Sequence, residues 1–178
     1  GSGRILGIQG LGNTGEGMMG RISAVAPLLK YKITTEDISN LELPYSPPFS
    51  SAMDILNALG STAENILAGK NRVIEADEFA DWWKNRHNGE MLCLDCREWG
   101  NAGPFVEKYP EHWKSIPQGE LRNRLAEVPK DKKLVLICNT GVRSYEAQIT
   151  LDQMGIKDSY NLQGGMAAVK KWGVDLLE

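Results

Sequence analysis

The run Leu134-Val135-Leu136-Ile137 contains no polar residue and ends at Cys138. A short continuous apolar run bounded by polar sequence reads as a buried strand. Residues 73–74, 91–96 and 159–162 read as further strands. Between them lie helical patterns at about 76–86, a short one at 121–128, and longer ones at 145–154 and 166–172. Strands alternating with helices imply an α/β fold with a largely parallel sheet, and right-handed crossovers place helices on both faces. Residues 99–115, rich in Trp, Tyr, His and Pro, read as loop.

The buried strand hands its cysteine to the heptapeptide Cys138-Asn139-Thr140-Gly141-Val142-Arg143-Ser144, with a helix starting near Tyr145. Such a loop aims backbone N–H groups and a helix N-terminus at one sulfur. A free thiol of pKa ~8.5 is a few per cent thiolate at neutral pH, and this setting raises the fraction. Gly141 permits a positive φ, Arg143 is a permanent cation for an anionic group, and Ser144 is placed to cap the helix. The loop holds no histidine, so activation is expected to be electrostatic rather than by a neighbouring base. The competing reading is an inert buried cysteine at a strand end.

Cys93, Cys96 and Cys138 are an odd number, which argues against a disulfide scaffold and for reduced, cytoplasmic thiols. Cys93-Leu94-Asp95-Cys96 is formally C-x-x-C. Zinc needs about four ligands and no second pair is near, while residues three apart in a strand face opposite ways. Cys93 therefore reads as core and Cys96 as semi-buried packing. A net charge of −3 gives no basic footprint for nucleic acid. No apolar run approaches the ~20 residues of a membrane span, and the N-terminus lacks the form of a signal peptide.

Ahead of Lys70-Asn71-Arg72, which reads as a linker, residues 1–70 suggest one strand at 4–9 and three helices. This is too little sheet for a convincing independent core. Gly10, Gly12 and Gly15 satisfy G-x-G-x-x-G, but a lone match is unspecific and the further βαβ units of a dinucleotide domain are missing. Thr34 to Asp37 has the form of a helix start. Another helix runs from Asp54, with Gly60 as an interruption and Gly69 as its stop. The chain opens as though within something larger.

The string Tyr45-Ser46-Pro47-Pro48-Phe49-Ser50-Ser51-Ala52, with Glu36-Asp37-Ile38, Leu41, Leu43 and Asp54, resembles part of a known domain. It is the C-terminal half of the dimerisation domain of FAD-dependent pyridine nucleotide–disulfide oxidoreductases, in the coenzyme A disulfide reductase and NADH oxidase branch. The resemblance implies that this stretch lies near the flavin and disulfide-reducing site of a partner subunit in a homodimer. Tyr45 holds the position of a tyrosine implicated in catalysis there; otherwise it packs a proline-rich corner. The resemblance implies FAD, NAD(P)H and coenzyme A for an intact parent enzyme, and no cofactor bound by this chain alone.

Throughout residues 73–178, within a domain expected at 71–178, a second resemblance runs through Leu94-Asp95-x-Arg97-Glu98, Ile116-Pro117, Leu121-Arg122, the Cys138 loop and Leu162-x-Gly164-Gly165-Met166. These residues are similar to the rhodanese domain, a sulfurtransferase with a flavodoxin-like α/β fold. The resemblance implies that Cys138 attacks the sulfane sulfur of a donor, stores it as a persulfide and passes it to a thiol or other acceptor. It also implies that residues 139–144 cradle that sulfur. Cysteine phosphatases place one more residue between Cys and Arg than the four here, so the shorter loop suits a single sulfur. The family's usual Gly-His-Ile-Pro-Gly-Ala is replaced by Lys108-Tyr109-Pro110-Glu111-His112-Trp113, where His112 and Trp113 either line the entrance or are ordinary surface. The two expectations are a sulfurtransferase domain joined to a reductase fragment, or a non-catalytic dimerisation and docking module.

Overall fold

A computed structural model describes residues 1–13, 15–173 and 176. Two compact units divide the chain, Gly1–Lys70 and Asn71–Glu178.

The first unit is mostly helical. α1 (Gly15–Val25) runs into a 3-10 turn (Ala26–Tyr31), followed by α2 (Thr35–Ser39) and α3 (Ile55–Leu67). Thr34 caps α2 through a capping box with Asp37, and Asp54 caps α3 while pairing with Arg21 at 2.6 Å. These caps satisfy N–H groups that a helix leaves without intrahelical partners. Gly60 does not interrupt α3. It is buried where α3 crosses α2, and a Cβ there would run into the Ser39 backbone nitrogen and lie 2.8 Å from Thr35 O. The strand expected at 4–9 is reduced to one antiparallel bridge, Arg4 to Thr34, because among the described residues of this unit no other strand offers it a ladder.

The second unit holds a five-stranded sheet of β1 (Val73–Ile74), β2 (Met91–Asp95), β3 (Trp113–Ser115), β4 (Lys133–Ile137) and β5 (Ser159–Leu162). The order is β1-β5-β4-β2-β3 and every pairing is parallel. Helices α4 (Ala76–Lys84), α5 (Trp99–Lys108), α6 (Val142–Gln153) and α7 (Gly165–Lys171) complete it. Alternation along the strands divides the core in two. Cys93, Val135 and Ile137 pack with Phe79, Trp83, Phe105 and Val169 of α4, α5 and α7. Leu92, Leu94, Cys96, Leu134 and Leu136 face Ala147 and Leu151 of α6. Helices thus cover both faces, as the apolar strands require.

Three local expectations are corrected. Residues 99–108 form α5 rather than loop, with Pro104 on its exposed side. Proline removes the N–H that would bond Gly100 O, and Gly100 is itself exposed, so water can meet that carbonyl. The short helix expected at 121–128 is replaced by 3-10 turns at Gln118–Glu120 and Leu125–Glu127. α6 begins at Val142, three residues earlier than its apolar spacing implied. Among the described residues no helix is long and apolar enough to cross a membrane.

Candidate active site

The Cys138 loop leaves the carboxyl end of β4, a central strand, which is where open α/β sheets bind ligands. Gly141 takes φ +97° and is the N-cap of α6. That reversal folds the loop back over the sulfur, so the Gly141 N–H donates to Cys138 Sγ at 3.1 Å. The N–H groups of Thr140 and Ser144 also favour the thiolate form of the sulfur.

The carbonyls of the loop are drawn the other way. Met166 N–H donates to Cys138 O at 2.9 Å and Ala167 N–H to Asn139 O at 3.0 Å. These donors belong to the first turn of α7, where N–H groups lack intrahelical partners. Gly165, at φ +59°, lets α7 come this close: a Cβ would lie 2.5 Å from Cys138 O and 2.6 Å from Thr140 N. With its carbonyls held outward, the loop turns its N–H groups inward, forming an anion-binding concavity.

Ser144 does not cap α6. Its Oγ lies 3.3 Å from Cys138 Sγ and 2.6 Å from Asn161 Oδ1, and the residue is fully buried. The cause is the early helix start, which puts Ser144 in the first turn rather than at the cap. Burial pushes the Cys138 thiol up, but Ser144 and the three loop N–H groups outweigh it, and the net shift is below the ordinary thiol value. Hydrogen bonds to the thiolate favour the charged form, which is the state needed for nucleophilic attack.

Asn139 and Thr140 are exposed, Val142 is 63% exposed and Cys138 only 1%, so the sulfur sits at the floor of the loop. Arg143 is half-buried, with no ion pair or side-chain hydrogen bond among the described residues, and its guanidinium is available to an anion. Tyr45 belongs to the first unit, where it is 58% exposed.

Beneath the loop, Asp95 is wholly buried and accepts four hydrogen bonds. They come from Arg97 N, Nε and Nη2 and from Trp113 Nε1, all at 2.7–3.0 Å. Its buried oxygens are thus fully partnered, which offsets the cost of removing them from water. Arg97 stacks over Phe105 and reaches Asn139 Oδ1 at 3.4 Å, bracing the loop from below. Trp113 is therefore core, not entrance. His112 faces the His87 and Trp83 rings.

Cys96 is fully buried rather than semi-buried, and Cys93 and Cys96 lie in the cores on opposite faces of the sheet. Both thiols are held up, first by burial and then by the Asp95 charge. Among the described residues no cluster of three His, Cys, Asp or Glu side chains is arranged to hold a metal. At the glycine motif, no ladder strand precedes Gly10 among the described residues, and the Met18 side chain lies beside it. The sequence reading missed the backbone role of Gly165 to Ala167 and the buried Asn161. A lone amide inside a strand that ends in the apolar Leu162 was the available signal.

Similarity to known proteins runs through both units. The reduced CoADR-RHD of Bacillus anthracis is 32% identical, with a TM-score of 0.71 over 86% of this chain and 26% of that one. A NAD-dependent persulfide reductase from A. fulgidus is 31% identical, with a TM-score of 0.68 over 89% and 26%. The "Probable adenylyltransferase/sulfurtransferase MoeZ" of Mycobacterium tuberculosis is 28% identical over 172 residues, 92% of this chain and 40% of the relative. The chain thus spans well under half the length of each of these proteins. Residues 79–171, more than half of the chain, match the rhodanese-like domain, and the chain belongs to that family.

Proposed function

We propose that Cys138 carries sulfane sulfur as a persulfide. The thiolate attacks the outer sulfur of a donor, forming one S–S bond as the donor's own bond to that sulfur breaks. With thiosulfate the leaving group is sulfite. A thiol acceptor, as thiolate, then attacks the terminal sulfur and Cys138 leaves as thiolate, so charge and electrons balance at each step. Residues 139–144 cradle the sulfur, and Arg143 holds the anionic part of the donor. The carrying observation is the convergence of the Gly141 N–H and the Ser144 hydroxyl on a sulfur whose loop carbonyls are tied away to α7. The same donors stabilise the negative terminal sulfur of the product.

We further propose that this domain serves a flavin-dependent disulfide or coenzyme A persulfide reductase of the cytoplasm, working as a homodimer, with Tyr45 near the reductase site of that larger enzyme. Support comes from the two reductase likenesses, which cover too much of the chain to be confined to residues 71–178. FAD, NAD(P)H and coenzyme A would belong to that enzyme's other parts, and no step at Cys138 uses them. Sulfur transfer from thiosulfate or polysulfide to a thiol acceptor, compared with Cys138→Ser, tests the proposal. Loss of transfer in the variant is expected, and undiminished transfer would overturn it.

A further inference from the structure

The Ser144 hydroxyl has one proton and two claimants, Cys138 Sγ at 3.3 Å and Asn161 Oδ1 at 2.6 Å. Behind Asn161 the chain continues, because its Nδ2 donates to Asn71 Oδ1 at 3.2 Å. Ser144, Asn161 and Asn71 are 0%, 2% and 6% exposed. Water therefore does not readily replace any link, and each buried polar group depends on its neighbour.

We propose that Asn161 is a positioning residue for Cys138, its carboxamide setting which way the Ser144 hydroxyl donates while Asn71 holds the far end of the chain. This rests on Cys138 being the reactive sulfur. In one direction of the chain Ser144 donates to Asn161 Oδ1 and the sulfur, as a thiol, donates to Ser144 Oγ. For Ser144 to donate to a thiolate, Asn161 must turn its NH₂ toward Ser144. Its oxygen then faces Asn71, whose amide turns likewise. A carboxamide offers donor and acceptor at nearly the same positions, so the chain runs in either direction without repacking. The two directions match the two charge states of the sulfur. Other charges around the sulfur are Arg143 on α6 and the Asp95–Arg97 pair at the end of β2, with the Cys96 thiol beside them. Among the described residues, the side-chain hydrogen bonds of Asn161 go to Ser144 and Asn71 and to none of these groups.

Asn71 lies outside the stretch that matches the family, at the first residue of the second unit. The neighbouring Arg72 fixes its place. Arg72 N–H donates to Gln148 Oε1, Arg72 O accepts from Asn161 N, and the guanidinium binds Asp152 and Ser159 O. The start of the unit is thus wired to the nucleophile through two amides.

Asn161→Asp supplies the test, because a carboxylate can only accept and pins the Ser144 proton away from sulfur. Iodoacetamide alkylation of Cys138 at pH 7 should slow at least tenfold in this variant. On a Ser144→Ala background the same substitution should slow it by less than half that factor. Equal slowing in both backgrounds, or none, would overturn the proposal. If the variant does not fold, the unsubstituted chain provides the second measurement. The Asn161 side-chain NH₂ signals in a ¹H–¹⁵N spectrum should shift at the midpoint of Cys138 alkylation and gain contacts to Ser144 Hβ above it. Signals that do not move through that midpoint would equally overturn it. Both readouts follow the thiol itself. A protein that meets them yet takes no sulfur from any donor would contradict the transfer reading and leave the positioning role standing.

Discussion

Burial alone would make Cys138 as inert as Cys93 and Cys96. All three thiols are nearly removed from water, and desolvation disfavours each thiolate. The difference is the donor set. Cys96 faces the carbonyl of Leu94, whereas Cys138 faces N–H groups and a hydroxyl. The depressed Cys138 value means that thiolate is present below the ordinary thiol range and is lost as pH falls through the folded value. Alkylation followed from pH 5 to 10 should thus show a midpoint below the ~8.5 of a free thiol, with Cys93 and Cys96 unmodified throughout. A midpoint at or above that value would contradict the donor geometry. Ser144→Ala should slow alkylation about tenfold at neutral pH, since a hydrogen bond to a charged group contributes about 1.5–3 kcal/mol. Cysteine, glycine and arginine spacing made the loop legible in the sequence. The role of Ser144 was not, because it depends on where α6 starts, and that is set by the Gly141 reversal rather than by apolar spacing.

At the level of elements, the loop is shaped as much by α7 as by β4 and α6. Gly164-Gly165 is visible in the sequence as a turn before a helix, yet its contact with Cys138 O arises only when β5 pairs beside β4. Gly165→Ala adds a Cβ 2.5 Å from that carbonyl at a φ of +59°, so the loop or the helix must move. Cys138 alkylation should fall several-fold in this variant while the far-ultraviolet circular dichroism is retained. Unchanged reactivity would mean that α7 does not set the loop. The parallel sheet was legible because β2, β4 and β5 carry apolar runs between helical patterns. α5 was not, since Gly100, Gly103 and Pro104 are poor helix formers and only packing of Ala102 and Phe105 holds them in a helix. The 4–9 segment erred the opposite way, having strand composition without a strand to pair with.

For the whole molecule, the division at Lys70 lets each unit be followed separately. All five tryptophans lie beyond residue 71, so their fluorescence reports the second unit. Arg72→Met removes a bidentate pair with Asp152 and a bond to Ser159 O at the start of that unit. The urea midpoint read by tryptophan fluorescence should fall, by a loss of roughly 2 kcal/mol for broken charge-assisted bonds. A midpoint unchanged from the parent would show that the start of the unit does not carry its stability. The proposed reductase connection belongs to this scale too, and in the sequence it rests on the Tyr45 string, since residues 1–70 bury too little to declare a purpose alone. What the molecule does with sulfur is decided most directly by mass spectrometry of the intact chain after incubation with thiosulfate or polysulfide. A gain of one sulfur atom, located on the peptide carrying Cys138 and absent from Cys138→Ser, is the expected result; no adduct at Cys138 with any of several donors would contradict it.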